Sequence, residues 1–169
     1  MTRIFLAIFF VLFLASWSVH GQEESNTWDR YKPSKLNIIS NREKKSAADL
    51  NNNKIANVYS ADDFASRVRV IYTGRSREIV PYKKEFISNW LKSRQEDMKY
   101  ADLFKKEMLF VEDGIDFWIP VQEQVIPYFE KEIKRKEQII LFTIYLGMTK
   151  NEKNFDPIFV VNDFNKITE

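Results

Sequence analysis

The chain has 169 residues, carries a formal net charge of +2 and contains no cysteine. Its 26 Lys and Arg nearly balance 24 Asp and Glu, which argues against a dedicated nucleic-acid binder, whose affinity rests on net phosphate neutralisation. Disulfide staples, thiol nucleophiles and cysteine metal ligands are excluded outright.

Residues 1–21 have the pattern of a secretory signal peptide. Arg3 forms a short positive n-region, Ile4 to Ala15 is unbroken apolar sequence, and the small residues Ser16, Ser18 and Gly21 follow. As a helix the apolar run reaches about 18 Å against a ~30 Å hydrocarbon core, so a cleaved leader is expected rather than an anchor. The product is expected to be secreted or periplasmic, with no membrane span after cleavage. Cleavage after Ser18 or Gly21 leaves about 150 residues, enough for one core without staples. A cut after Gly21 also removes His20, the single histidine of the chain.

Residues 22–57 are polar and rich in Asn, Lys and Ser, with Trp28 and Tyr31 as their aromatics. Low hydrophobicity without a clear period predicts a flexible arm, with a short helix near Arg42 to Leu50. The Asn51-Asn52-Asn53 run reads as loop.

From residue 58 onward the patterning predicts a single α+β domain, 58–169. Val68, Val70 and Tyr72 alternate with Arg67, Arg69 and Ile71, a strand that ends at Thr73-Gly74. Pro81 opens a helix with Tyr82, Phe86 and Trp90 four residues apart. A second short helix is expected over Lys99 to Glu107. Asp113-Gly114 joins two hydrophobic runs and predicts a tight hairpin. Pro127 sits in the first turn of a further helix carrying Val125, Phe129 and Ile133. Residues 138–149 are apolar on both alternating faces, as in a doubly buried strand. A polar loop, Lys150 to Asp156, then leads to a last strand over 158–164. The order predicts a five-stranded curved antiparallel sheet or OB-like barrel with about three helices.

The residue inventory restricts the chemistry. Without His or Cys in the product, Ser-His-Asp and Cys-His machinery is excluded. Gly74, Gly114 and Gly147 lie too far apart for a phosphate-cradling glycine loop. No catalytic residue, metal-ligand set or cofactor is assigned. Carboxylates remain: Glu112, Asp113 and Asp116 cluster at the hairpin, with Glu123 beyond it, and a solvated turn is the plainer reading of them. Arg75, Ser76 and Arg77 place two guanidiniums beside a hydroxyl at a strand end, next to the helix that opens at Pro81, and form the leading candidate anion site. Trp118 and Tyr145 are candidates for a ligand-stacking platform, against the alternative that they are core. The basic run Lys131, Lys134, Arg135 and Lys136 interleaves with Glu130, Glu132 and Glu137 and reads as a solvated helix face.

Three segments, IYTGRSR (71–77), FWIPVQ (117–122) and FVVNDF (159–164), resemble small secreted bacterial proteins of unknown function. The resemblance covers residues 58–169 and implies no activity, cofactor or site residue. The functional expectation is therefore an exported, non-enzymatic binding or interaction module, whose partner is a protein, a glycan or a small anionic ligand. The alternatives are a carboxylate-dependent hydrolase acting on cell-wall or extracellular glycan, and a structural envelope protein.

Overall fold

The computed structural model describes residues 27–49, 57–151 and 154–167, so the expected leader at 1–21 lies outside the described residues. A 3-10 turn at Thr27–Arg30 precedes β1 (Lys32–Ser34) and α1 (Leu36–Asp49). After β2 (Asn57–Glu78) come α2 (Pro81–Ser93) and a second 3-10 turn at Met98–Leu103. The chain continues through β3 (Lys106–Glu112), β4 (Ile115–Val121), α3 (Ile126–Glu132), β5 (Gln138–Asn151) and β6 (Asn154–Lys166). Among the described residues no helix is long and apolar enough to cross a membrane.

The fold is α+β, and its six described strands form one mixed sheet. β2 is long enough to serve two partners: its Asn57 to Ile71 stretch is antiparallel to β5, and its Ile71 to Glu78 stretch is antiparallel to β3. β3 and β4 form the expected hairpin, in which Glu112 faces Ile115 across Asp113 and Gly114. Both turn residues have positive φ, +50° and +79°, the backbone twist that suits a two-residue hairpin. β5 and β6 pair from Ile139 to Asn151, and β6 meets β4 in parallel at Val161 and Val121. Pairing therefore runs from β2 through β3, β4, β6 and β5 and returns to β2.

Several expectations need correction. The strand expected to end at Thr73-Gly74 continues past a bulge to Glu78, and most of the loop expected over Lys150 to Asp156 is paired strand. The sheet is mixed rather than antiparallel, and it holds one strand more than five. The added strand, β1, runs parallel to β2 from Lys32 opposite Ser66 to Ser34 opposite Val68, beside the part of β2 that β3 does not reach. It lies in the segment read as a flexible arm. There Tyr31, Leu36 and Ile39 are buried, and apolar burial, not local propensity, holds such a polar stretch in place. The helix expected over Lys99 to Glu107 is a 3-10 turn capped by Asp97, whose carboxylate accepts from Lys99 N at 2.9 Å. The backbone is already strand at Lys106.

The core explains why β5 is apolar throughout. One face, with Leu141 and Met148, joins Val70, Phe110, Ile119 and Phe129 in the main cluster. Its other face, with Leu146, packs under Phe86, Ile87 and Leu91 of α2. α3 contributes Ile126 and Phe129 to the main cluster and α1 contributes Leu36 and Ile39. Gly147 sits opposite Tyr59 of β2, where no side chain fits. Its φ is +139°, and a Cβ there would lie 2.1 Å from the carbonyl oxygen of Val58.

Candidate functional site

A bulge in β2 sets up the site. Ile71 and Tyr72 oppose Val111 and Phe110, but the next aligned pair is Ser76 with Met108, so β2 carries extra residues between them. Gly74 supplies the left-handed turn at φ +73°, and Thr73 fastens it. Its hydroxyl donates to Leu109 O at 2.6 Å and accepts from Arg75 N at 3.2 Å. A bulge re-aims the side chains beyond it. Here Arg77 comes to lie opposite Glu107.

Three charges meet at that point. Glu107 is fully buried and accepts from Arg77 Nε with one oxygen and from Lys83 Nζ, at 2.9 Å, with the other. Lys83 is itself buried and also donates to Trp118 O at 2.7 Å. Carried on the first turn of α2, it therefore ties that helix to β3 and β4 together. The triad has one cation in excess. Arg77, with its side chain 44% exposed, carries the excess outward over the Trp118 ring, 4.1 Å from the centroid. Arg75 lies farther out over the same ring, at 5.6 Å. Stacking of this kind contributes about 0.5–1 kcal/mol at exposed sites and holds the guanidinium plane in place.

Arg77, Lys83 and Trp118 line a cleft of about 330 Å³, together with Asp116 on β4 and Asp156 on β6. Such a volume lies at the lower end of small-molecule sites, roughly 300–1,000 Å³. Tyr82 closes one side by donating to Asp156 Oδ2 at 2.6 Å. Burial, and then that hydrogen bond, push the Tyr82 phenol well above its ordinary value.

The opposite wall is α1, through Asn37, Ser40, Asn41 and Lys44. Its position is fixed from a distance. Glu112, buried at the end of β3, accepts from the backbone N–H groups of Leu36 and Asn37, each at 2.9 Å. A carboxylate at a helix N-terminus satisfies orphan N–H groups and complements the dipole. Lys35 Nζ and Asp113 Oδ2 add an exposed ion pair at 2.8 Å. Two polar atoms of residues in this wall, Asn37 Oδ1 and Ser40 Oγ, are buried and have no hydrogen-bond partner among the described residues. An unmade bond of this kind costs about 1–3 kcal/mol.

Of the residues singled out from sequence, Arg77 and Trp118 come together at the cleft. Arg75 stands at its margin over Trp118, and Ser76 is exposed on the strand beside them. Tyr145 lies elsewhere. It is 3% exposed within the core, its ring 5.3 Å from that of Phe159, because the inward face of β5 claims an aromatic there. Burial drives its phenol upward. The hairpin carboxylates divide: Glu112 caps α1, Asp113 pairs with Lys35 and Asp116 faces the cleft. Glu123 makes an exposed pair with Lys105 at 2.7 Å. Lys131, Lys134, Arg135 and Lys136 are exposed, and Glu137 accepts from Lys134 N at 2.7 Å.

Lys83, Glu107, Tyr82, Asp156, Asn37 and Ser40 were not singled out from sequence. Lys83 had a signal: it precedes Phe86 and Ile87 by three and four residues, so it lies on the buried stripe of α2 and needs a buried counter-charge. Among the described residues no group of three or more His, Cys, Asp or Glu is placed to hold a metal ion. No protein-family model, no curated protein and no solved structure matches this chain.

Proposed function

We propose that this chain is an exported binding module built on an OB-like barrel, and that it holds a carboxylate-bearing ligand in the cleft beside Arg77 and Trp118. One observation carries the reading. Arg77 is clamped by the Trp118 ring and by a single bond from Nε to Glu107, while its two Nη groups have no partner among the described residues. A guanidinium held in this way presents a planar donor fork whose geometry matches a carboxylate.

Topology supports the same place. The ring of pairings, its closure by parallel β4 and β6, and α3 between β4 and β5 follow the strand order of an OB barrel. Such barrels take ligands on the face of their second and third strands, between the connections joining strands one to two and four to five. The cleft lies against β4, between Tyr82 and Lys83 of the first connection and Asp156 and Pro157 near the second. This support is by analogy of fold. Export rests on the leader pattern of residues 1–21. A hydrolase would rest on Asp116 and Asp156, the carboxylates that line the cleft, but Asp156 is already engaged by Tyr82, and Glu112 is committed to capping α1.

The test is a ¹H–¹⁵N NMR titration with acetate, succinate and glucuronate at constant ionic strength, following the Trp118 indole N–H and the Arg77 Nε–H. Saturable shifts at both groups are expected for at least one carboxylate. The Trp118 shift should vanish in Arg77→Ala, and both shifts should persist in Arg67→Ala. Absence of a saturable shift, or an equal Trp118 shift in Arg77→Ala, refutes the proposal.

A further inference from the structure

We infer that the ligand is an acidic saccharide, a sugar bearing one carboxylate, with the carboxylate on Arg77 and the ring hydroxyls along the α1 wall. The inference rests on the carboxylate reading above and adds the chemistry of the opposite side of the cleft.

That side asks for hydrogen-bond donors as well as acceptors. Ser40 is 4% exposed, and neither its Oγ nor the buried Asn37 Oδ1 has a hydrogen-bond partner among the described residues. Rotation about χ1 carries a serine hydroxyl between staggered positions, so a group packed just beneath the cleft surface can turn to meet a ligand. Asp116 adds a further acceptor on β4. A simple alkyl carboxylate has no donor for any of these. Sugar hydroxyls both donate and accept, and a neutral O–H suits the neutral Asn37 and Ser40 oxygens without carrying a second charge into a buried site.

Charge narrows the class further. Lys83, a buried ammonium, lines the same cleft, so a ligand ammonium would meet a like charge. Asp116 and Asp156 weigh more heavily against a phosphate dianion than against the single charge of a carboxylate, which the triad's excess cation and Lys44 offset. Trp118, Phe117 and Pro157 supply apolar surface against which the C–H face of a pyranose ring packs.

Calorimetric titration of the purified protein with methyl glucuronide, methyl glucoside, acetate and glycine tests this. Methyl glucuronide is expected to bind about tenfold tighter than either methyl glucoside or acetate. Ser40→Ala should weaken the glucuronide roughly fivefold and leave acetate unchanged. The same variant should unfold at an equal or higher denaturant concentration, because it deletes an unsatisfied buried hydroxyl. Arg77→Ala should reduce the glucuronide to the affinity of the glucoside. If acetate matches the glucuronide, or Ser40→Ala binds as the parent does, the saccharide inference falls and the carboxylate site stands. Tightest binding of glycine also overturns it, in favour of a zwitterion. If no carboxylate binds, or Arg77→Ala changes nothing, the carboxylate reading itself fails.

Discussion

The ammonium of Lys83 and the carboxylate of Glu107 meet at 2.9 Å with side-chain exposures of 6% and 0%. The carboxylate is the condition for the ammonium's burial. Removing Glu107 leaves the buried Lys83 ammonium uncompensated, which costs about 3–5 kcal/mol, whereas removing Lys83 leaves Glu107 still paired with Arg77. Glu107→Gln should therefore lower the urea midpoint sharply, and Lys83→Met by a smaller amount. The double variant Lys83→Met, Glu107→Leu should recover part of the loss, because apolar pairs of similar volume replace buried ion pairs at little cost. Equilibrium urea unfolding of the three proteins measures this.

Glu112 predicts a different pattern. Replacing it with Ala strips Leu36 N and Asn37 N of their acceptor, at about 1–3 kcal/mol. Gln keeps an acceptor but loses the charge, so its cost should be smaller. The damage should concentrate in α1: amide hydrogen exchange of residues 40–46 is expected to accelerate more than that of β5.

Gly147 and Gly114 separate two uses of the same residue. Gly114 has φ +79° with open space around it, so Gly114→Ala should cost only the left-handed penalty, about 1–2 kcal/mol. At Gly147 the new Cβ would meet the backbone of Val58 and Tyr59 at 2.1 and 2.9 Å, and neither can move without opening the β2–β5 pairing. Gly147→Ala should cost roughly 3 kcal/mol or more. Thermal unfolding of the two variants side by side checks the ordering.

Stability should fall at alkaline pH. Burial raises the phenols of Tyr72, Tyr82 and Tyr145 above their ordinary value of 10.0. Above that pH the unfolded chain releases these protons while the folded protein keeps them, so unfolding gains with each further unit. The stabilisation is complete below pH 10 and is lost as pH rises beyond it. Melting temperatures taken from pH 9 to about 11, with tyrosinate absorbance as a second readout, should show one coincident loss. Tyr82→Phe should flatten the slope.

Turn and helix-start signals were readable, while strand ends and non-local contacts were not. The hairpin at Asp113-Gly114 and the helix opening at Pro81 depend on neighbours in sequence, and both stand where the pattern puts them. β1 has three residues with a proline among them, too short for any period to register. α1 carries its apolar contacts mainly on Leu36 and Ile39, and its cap comes from a residue 76 positions away. At the cleft, Arg77 and Trp118 were visible as residue types suited to binding. What brings them together, the bulge at Thr73–Arg75 and the buried Lys83–Glu107 pair, depends on strand register, which a pattern of alternation does not fix.

The cap from Glu112 also sets an order of events. A chain made from its N-terminus releases the sequence of α1 long before residue 112 exists, and a helix of 14 residues is marginal alone in water. α1 thus gains its cap only when the β3–β4 hairpin brings residue 112 beside it. Closing a contact across so much chain is slow. The wall of the cleft is therefore tied to the hairpin: whatever loosens β3 and β4 releases α1 as well.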